Sequence, residues 1–271
     1  MEAYFSWVAS QGFAMPDNPW DIWLPQGLEA HDHGATGKPS RIPAALSDTT
    51  WFTDRGIDHL RSTAHKPWFL HLGYYRPHPP FSAPAPYHDM YDPAQCPPAL
   101  RAGTAREEAA QHPLLQFYVE NIKRQNFFQN GQGLGSAMSQ AEVRQMRATY
   151  YGLMSEIDAQ LGRVFQFLKD TGQWDNTLIV LTSDHGEQLG DHHLLGKIGY
   201  FDQSYHIPMI VRDPGAQANG TRGTVVDAFT ETIDTMPTLL DWMGLPVPRT
   251  CDGRSLLPFV HDGAAPRGWR T

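Results

Sequence analysis

The clearest periodic pattern in the chain lies between Ser139 and Thr171, where apolar residues recur at spacings of three and four. This spacing places them on one face of a helix. The residues of that face are Val143, Met146, Tyr150, Leu153, Ile157, Leu161, Val164, Phe165 and Leu168. Ser139 and Glu142 have the spacing of a capping box, and Gly172 follows where a left-handed residue ends a helix. The pattern predicts a long helix over Ser139 to Thr171.

A buried strand is predicted directly after this helix. Thr177 to Thr182 is an uninterrupted apolar run with β-branched members, typical of a strand covered on both faces. Two other apolar runs indicate further strands parallel to it: Trp68 to Leu72, which contains Leu70, and Met209 to Val211. A helix followed by a buried strand is half of an α/β unit, so we expect an α/β fold with an open sheet and helices on both faces.

Shorter patterns predict the organisation of the rest of the chain. A helix is expected from a cap at Ser47 or Asp48 to Ala64, because its apolar positions recur with helical spacing. Residues 1–47 mix aromatic residues with prolines and show no helix or strand period. We therefore expect an irregular segment over 1–47, with nothing earlier in the chain for it to pack on, and an α/β domain over 48–271.

The remaining segments are a proline-rich loop, weak helical patterns and one short helix. The loop runs from Tyr74 to about Leu100, and ordered loops of this length are usually functional. Glu107 to Arg124 has weak helical character, while Thr235 to Met243 predicts a short helix that ends at Gly244.

Composition excludes several classes of protein. The 271 residues carry a net charge of −8, which argues against a nucleic-acid binder because phosphate affinity requires a basic surface. No run approaches the ~18 consecutive apolar residues of a membrane span. Cys96 and Cys251 are too few for a disulfide framework, and the residues after Met1 show no secretory signal. We expect a cytoplasmic protein without a nucleic-acid or membrane partner.

Candidate metal chemistry lies at the exit of the predicted buried strand. Asp184 offers a carboxylate oxygen and His185 an imidazole nitrogen, and the pairing suits Mn²⁺, Zn²⁺, Mg²⁺ or Ca²⁺. Gly186 would allow the backbone to turn close to the ion. The alternative is an ordinary polar turn that ends a strand. Two histidine pairs are interpreted as incidental, namely His31 with His33 and His192 with His193.

Two further residues are candidates for catalysis. His78 lies between prolines that restrict its loop, and a histidine can protonate a leaving oxygen near neutral pH. Lys197 follows a glycine and could be a point charge for an anionic substrate. The alternatives are a rigid turn with an incidental histidine and an ordinary solvated lysine.

In combination, these motifs resemble the sulfatases of the alkaline phosphatase superfamily, and most nearly the bacterial phosphonate monoester hydrolases and phosphodiesterases. The similar segments occur in family order between about Phe52 and Pro258. They are Lys66 to Leu70, Pro77 to Phe81, Tyr150 to Val164, Leu181 to Glu187, Gly190 to His192, Gly196 to Lys197, Pro208, Ile233 to Leu240 and Asp252 to Leu256. The resemblance implies an alkaline-phosphatase-like, mixed and mostly parallel sheet with helices on both faces.

The resemblance also implies roles for the candidate residues. Asp184 and His185 would bind one divalent ion, Mn²⁺ or Ca²⁺ ahead of Zn²⁺ or Mg²⁺. Lys197 would stabilise the charged oxygens of the transferred group, and His78 would assist the leaving group or bind the same anion. Hydrolysis in this family passes through a covalent sulfo- or phospho-enzyme intermediate.

One part of the family pattern is missing. The family nucleophile arises from a cysteine or serine in Cys/Ser-x-Pro-x-Arg, whereas Cys96 to Arg101 has its arginine one place too late. The family's first strand, with its acidic ligands, is also not found. We therefore expect the fold to be incomplete at its N-terminus, with a C-terminus that could also be short, and we expect the nucleophile on upstream sequence.

The sequence supports three functional hypotheses. The first is a metal-dependent hydrolase of small sulfate esters, phosphonate monoesters or phosphodiesters, assembled as a homo-oligomer. The second is a non-catalytic, truncated relative that binds metal weakly through Asp184 and His185. The third, an α/β structural domain with incidental motifs, is disfavoured because separated motifs in family order seldom arise by chance.

Overall fold

Helices provide most of the regular structure in the computed structural model, which describes residues 1–270. The helices are α1 (Glu2–Ser10), α2 (Asp48–Thr63), α3 (Ala105–Ala109), α4 (Pro113–Asn121), α5 (Gln140–Asp170), α6 (Asp202–Tyr205), α7 (Thr235–Trp242) and α8 (Leu257–Asp262). The strands are β1 (Ile179–Thr182) and β2 (Met209–Arg212). Among these described residues, no helix is both long and apolar enough to cross a bilayer.

The chain forms two compact units. The larger unit comprises residues 1–167 and 187–205, and the smaller unit comprises residues 168–186 and those from 206 onwards. Each unit is therefore assembled from segments that are distant in sequence. The division of the chain at residue 47 stays a prediction.

The predicted long helix is confirmed as α5. The Ser139 backbone N–H donates to Glu142 Oε2 at 2.8 Å, and the Glu142 N–H donates to Ser139 Oγ at 3.2 Å. Gly172 ends the helical segment with a φ of 69°. The buried face of α5 contributes to the main core of the larger unit, which contains Phe81, Ala83, Phe127, Phe128, Met138, Val143, Met146, Leu153 and Leu195.

The expectation that residues 1–47 are irregular is wrong for α1. Tyr4 and Val8, one helical turn apart, are fully buried in an aromatic cluster with Ile22, Trp23 and Ile42. A nine-residue helix is too short for its period to stand out among neighbouring aromatic residues. The partner of the cluster lies downstream in the chain, because Trp51 of α2 packs against it.

Helix α2 is confirmed with Ser47 as its N-cap. The Ser47 hydroxyl oxygen accepts a hydrogen bond from the Thr50 N–H at 3.2 Å. The residues just before this helix also contact the first residues of the chain, since the Tyr4 hydroxyl donates to the Leu46 carbonyl at 2.8 Å. This bond holds α1 beside the start of α2.

The smaller helix predictions are also confirmed. Helices α3 and α4 lie in the segment with weak helical character, and α7 occupies Thr235–Trp242. Gly244 has a φ of 68°, as expected of a residue that follows a helix. From Tyr74 to Leu100 the described chain contains only short 3₁₀ turns and irregular backbone.

The predicted parallel pairing of the strands is wrong. β1 and β2 are antiparallel, with Ile179 opposite Arg212 and Thr182 opposite Met209. β1 is only partly buried, and its last residue is exposed, so it is not covered on both faces here. An apolar run shows that a segment suits a sheet, but strand direction depends on which partner completes the hydrogen-bond ladder.

The strand predicted over Trp68 to Leu72 is also wrong. This segment is extended but forms no strand pair within residues 1–270. Its side chains alternate between partly buried and exposed, and Leu70 and Leu72 approach α2 at Gly56. The apolar pattern of this run therefore reflects packing on a helix.

Glu156 is a buried carboxyl group on α5. Its side chain lies in the larger unit near Asp48 and Arg76, and the residue is 1% exposed. Burial raises the pKa of Glu156 to about 7, and the negative charge of Asp48 adds to this effect. The Ser47 hydroxyl and the Arg76 guanidinium act in the opposite direction. Glu156 therefore retains its proton well above the pH at which an exposed glutamate loses it.

We expect the stability of the protein to fall as pH rises from about 4.5, the ordinary pKa of glutamate, to about 7. In this window the folded state holds a proton that the unfolded state has lost, so ionisation favours unfolding by on the order of 3 kcal/mol. Glu156→Gln, which resembles the protonated form, should remove this contribution when chemical denaturation is measured from pH 4 to 8. The matched control is Asp158→Asn, at an exposed carboxylate on the same helix. Identical pH profiles for wild type and Glu156→Gln would contradict this assignment.

Candidate active site

Asp184 and His185 form a short polar turn directly after β1 in the smaller unit. The Ser183 hydroxyl donates to the His185 carbonyl at 2.7 Å, and the His185 N–H donates to Asp184 Oδ1 at 3.0 Å. The Thr182 hydroxyl donates to the Pro208 carbonyl at 3.0 Å, which links the exit of β1 to the residue before β2. These bonds define the backbone from which both candidate ligands project.

The side chains of this turn place one oxygen and one nitrogen donor close together. Asp184 Oδ2 lies 3.5 Å from His185 Nε2, and the two side chains are 85% and 27% exposed. His185 Nδ1 lies 2.7 Å from the Gly186 carbonyl. When Nδ1 donates to that carbonyl, Nε2 carries the lone pair that a metal ion requires. At metal–ligand distances of about 2.1 Å, both atoms can reach one divalent ion.

The two residues supply only part of a coordination shell. Residues 1–270 contain no group of three or more His, Cys, Asp or Glu side chains placed to hold one ion. The chemistry of the pair fits a divalent metal, because a carboxylate and an imidazole together suit borderline ions. A complete site requires further ligands besides Asp184 and His185.

His78 lies on the proline-rich loop of the larger unit. Its side chain is exposed, its Nδ1 is 2.8 Å from the Pro79 carbonyl, and its ring centroid is 4.6 Å from that of Tyr75. The His78 N–H donates to the Tyr75 carbonyl at 3.1 Å, which closes a tight turn. The imidazole is thus presented at the surface by local contacts within its own loop.

Lys197 follows a turn that is also in the larger unit. Gly196 has a φ of 84°, and its N–H donates to Glu187 Oε1 at 2.5 Å. The Gln188 N–H donates to the Gly196 carbonyl at 3.0 Å, so residues 187 and 188 hold the turn from the opposite side. Lys197 is exposed directly after this turn.

Sequence reasoning missed a buried glutamine that supports the Lys197 turn. Gln188 is fully buried, and its side-chain amide donates to the Ile198 carbonyl at 3.0 Å and to the Ser204 hydroxyl at 2.7 Å. A glutamine in a loop has no sequence signal that distinguishes this role from a solvated one. The hydrogen bond to Ser204 joins residues 16 positions apart, so it can be identified only from the tertiary structure.

Three of the histidines that were interpreted as incidental occupy other environments. His192 stacks on Phe201 with 3.8 Å between ring centroids, and its Nδ1 lies 3.5 Å from Glu108 Oε1. His193 Nε2 lies 2.8 Å from the Gly103 carbonyl. His31 is an exposed residue whose Nδ1 lies 3.6 Å from a Glu29 oxygen. Their interpretation as incidental stays a prediction.

The structure brings Asp184 and His185 together within one turn of the smaller unit. His78 and Lys197 both belong to the larger unit, where each lies on a loop of its own. The roles of all four residues are predictions that rest on their local geometry and chemistry.

Comparison with known proteins shows the family. The sulfatase family model matches residues 6–245. Over all 271 residues the chain is 56% identical to the multifunctional alkaline phosphatase superfamily protein PehA of Trinickia caryophylli, and it covers 52% of that protein. The chain thus spans about half the length of this relative.

Two solved structures show the same similarity. The phosphonate monoester hydrolase of Agrobacterium radiobacter matches with a TM-score of 0.91 and 40% identity, over 99% of this chain and 52% of that one. The enzyme SpPMH of Silicibacter pomeroyi matches with a TM-score of 0.88 and 40% identity, over 99% and 51%. These matches confirm the alkaline-phosphatase-like α/β fold class. The chain belongs to the sulfatase family of the alkaline phosphatase superfamily.

Proposed function

We propose that the protein is a metal-dependent hydrolase of small phosphonate monoesters, phosphodiesters or sulfate esters. The observation that carries the proposal is the turn after β1, where Asp184 Oδ2 and His185 Nε2 lie 3.5 Å apart. Membership of the sulfatase family and the 40% identity to two phosphonate monoester hydrolases support it. The similarity to these two enzymes also supports phosphonate monoesters, rather than sulfate esters, as the substrates of this protein.

Asp184 and His185 would hold the divalent ion, with Mn²⁺ or Ca²⁺ preferred over Zn²⁺ or Mg²⁺. When bound, such an ion neutralises negative charge that develops on the transferred group and activates the nucleophile. The bond between the His185 N–H and Asp184 Oδ1 orients the carboxylate, and the Gly186 carbonyl orients the imidazole. The turn therefore holds its two ligand atoms in place through its own backbone.

His78 is suited to move a proton at its Nε2. When Nδ1 donates to the Pro79 carbonyl, Nε2 is the ring nitrogen that remains to interact with a substrate. A protonated Nε2 can donate to the leaving oxygen of an ester, and it can also bind an anionic oxygen of the same group. The restricted loop limits the entropy that is lost when this geometry forms.

Lys197 would stabilise the charged oxygens of the transferred group. An ammonium is a compact point charge, and its contribution grows where the substrate excludes water. The bonds from Gly196 to Glu187 and Gln188 fix the backbone from which the side chain extends. The position of its charge thus depends on a braced turn.

We propose that the nucleophile lies outside these 271 residues. The sequence contains no Cys/Ser-x-Pro-x-Arg segment, and Cys96 is buried with a thiol pKa that burial raises above its ordinary value. A buried, protonated thiol is a poor nucleophile. We propose that hydrolysis proceeds through a covalent intermediate on a residue of the full-length protein, which would act as a cytoplasmic homo-oligomer.

The first test compares three p-nitrophenyl esters in the presence of Mn²⁺ or Ca²⁺: the phenylphosphonate, an alkyl phosphodiester and the sulfate. We expect the full-length protein to release p-nitrophenol fastest from the phenylphosphonate, and the 271-residue chain to be inactive. Activity of the 271-residue chain would show that it carries its own nucleophile. No activity in either form would support a non-catalytic relative that binds metal weakly.

The second test concerns the metal ligands. In the full-length protein, Asp184→Ala should lower bound metal and ester hydrolysis together, because it removes an anionic ligand. Metal content would be measured by elemental analysis after dialysis, beside activity. The control is Asp262→Ala, at an exposed aspartate of the smaller unit that ends α8. Full metal content in Asp184→Ala would exclude Asp184 as a ligand.

The third test separates Lys197 from the metal. Lys197→Ala should lower kcat by about 10² to 10³, a range typical for loss of a preorganised charge stabiliser. Metal content should stay at the wild-type level, because the residue contributes no ligand. Lys197→Arg, which keeps the positive charge, should retain more activity than the alanine variant. An unchanged kcat in Lys197→Ala would contradict the proposed role.

A further inference from the structure

A buried ion pair lies beneath the His78 loop. Arg76 Nε is 3.5 Å from Asp48 Oδ1, and both side chains are 2% exposed. Trp23 contacts both charges, since its indole N–H donates to Asp48 Oδ1 at 3.3 Å and its ring centroid lies 5.1 Å from the guanidinium carbon of Arg76. We call Trp23, Asp48 and Arg76 the buried arginine cluster. A charge removed from water in this way is stable only when it has partners.

The same guanidinium holds the main chain on both sides of Pro79. Arg76 Nη1 donates to the Pro80 carbonyl at 2.7 Å and to the His78 carbonyl at 3.3 Å. The Pro79 carbonyl, which orients His78 Nδ1, lies between these two carbonyls in the chain. Arg76 therefore restrains the peptide groups that flank the acceptor of the imidazole.

His78 has an exposed side chain, so few contacts define its direction. Its ring rests against Tyr75 and its Nδ1 lies at the Pro79 carbonyl, and both residues belong to the same loop. The orientation of the imidazole thus depends on the shape of the loop. That shape is coupled to the start of α2 through the ion pair between Arg76 and Asp48.

We propose that Arg76, held by Asp48, is a positioning residue that sets the direction of His78 in catalysis. This inference rests on the proposed function of His78 and extends it to two buried residues. The guanidinium reaches the carboxylate with Nε and the loop carbonyls with Nη1. A lysine retains the charge but has a single nitrogen, so it cannot span these partners in the same geometry.

The test is a double-mutant cycle in the full-length protein with p-nitrophenyl phenylphosphonate. We expect Arg76→Lys to lower kcat about tenfold with little change in KM, and to shift the limb of the pH profile that depends on His78. In a His78→Ala background the same substitution should change kcat less than twofold. Equal effects of Arg76→Lys in both backgrounds would overturn the proposal.

A matched control is Arg147→Lys. Arg147 is also a buried arginine, pairs with Asp191, and donates to the carbonyls of Pro97, Pro98 and Leu189. Its replacement disturbs a comparable buried network away from His78, so its effect on kcat should persist in the His78→Ala background. Loss of that effect as well would show that the cycle reports general destabilisation, which would overturn the positioning role.

A second measurement does not require turnover. With ¹³C-labelled histidine, the His78 signal, identified by its loss in His78→Ala, should broaden or split in Arg76→Lys and in Asp48→Asn. The Asp48→Asn variant keeps Arg76 and tests the same linkage if Arg76→Lys folds poorly. An unchanged, single His78 signal in both variants would overturn the positioning role. A different outcome concerns His78 itself. If the signal changes in Arg76→Lys and Asp48→Asn but His78→Ala has normal kcat, the proposed function of His78 is rejected.

Discussion

The buried ion pair between Arg76 and Asp48 is the constraint on which much of the larger unit depends. It joins the first residue of α2 to the proline-rich loop, and Trp23 brings the aromatic cluster of the first 47 residues to the same point. Glu156 of α5 faces the pair closely enough for both charges to change its pKa. Four segments that are distant in sequence therefore meet at one buried cation.

Two carboxyl groups and one guanidinium share this small volume, and their charges must balance. Asp48 pairs with the guanidinium, while burial keeps Glu156 protonated to about pH 7. A second buried carboxylate beside Asp48 would be costly, and protonation of Glu156 avoids that cost. The arrangement explains how a buried charge can persist beneath a surface loop.

The candidate site combines two kinds of support. The pair Asp184 and His185 depends on short-range bonds within a turn, so four neighbouring residues define it. His78 and Lys197 extend from loops that distant residues hold in place, through Arg76 in one case and through Glu187 and Gln188 in the other. The candidate metal ligands of Asp184 and His185 are thus positioned by bonds within their own turn. The positions of His78 and Lys197 depend instead on the fold of the larger unit.

The sequence by itself determined the elements whose signals are local. The capping box at Ser139, the cap at Ser47 and the glycine after α5 each act within a few residues, so they could be predicted. The motif Asp184 to Glu187 and the order of the segments identified the family, because both can be compared with known proteins without knowledge of the fold. Only the tertiary structure decided the direction of β2, the packing of Leu70 and Leu72 on α2, and the partner of α1. It also decided that Arg76 pairs with Asp48, 28 positions away, and that Gln188 supports the Lys197 turn. These contacts join residues that are distant in sequence, and the residues next to each side chain do not indicate which partner it will have.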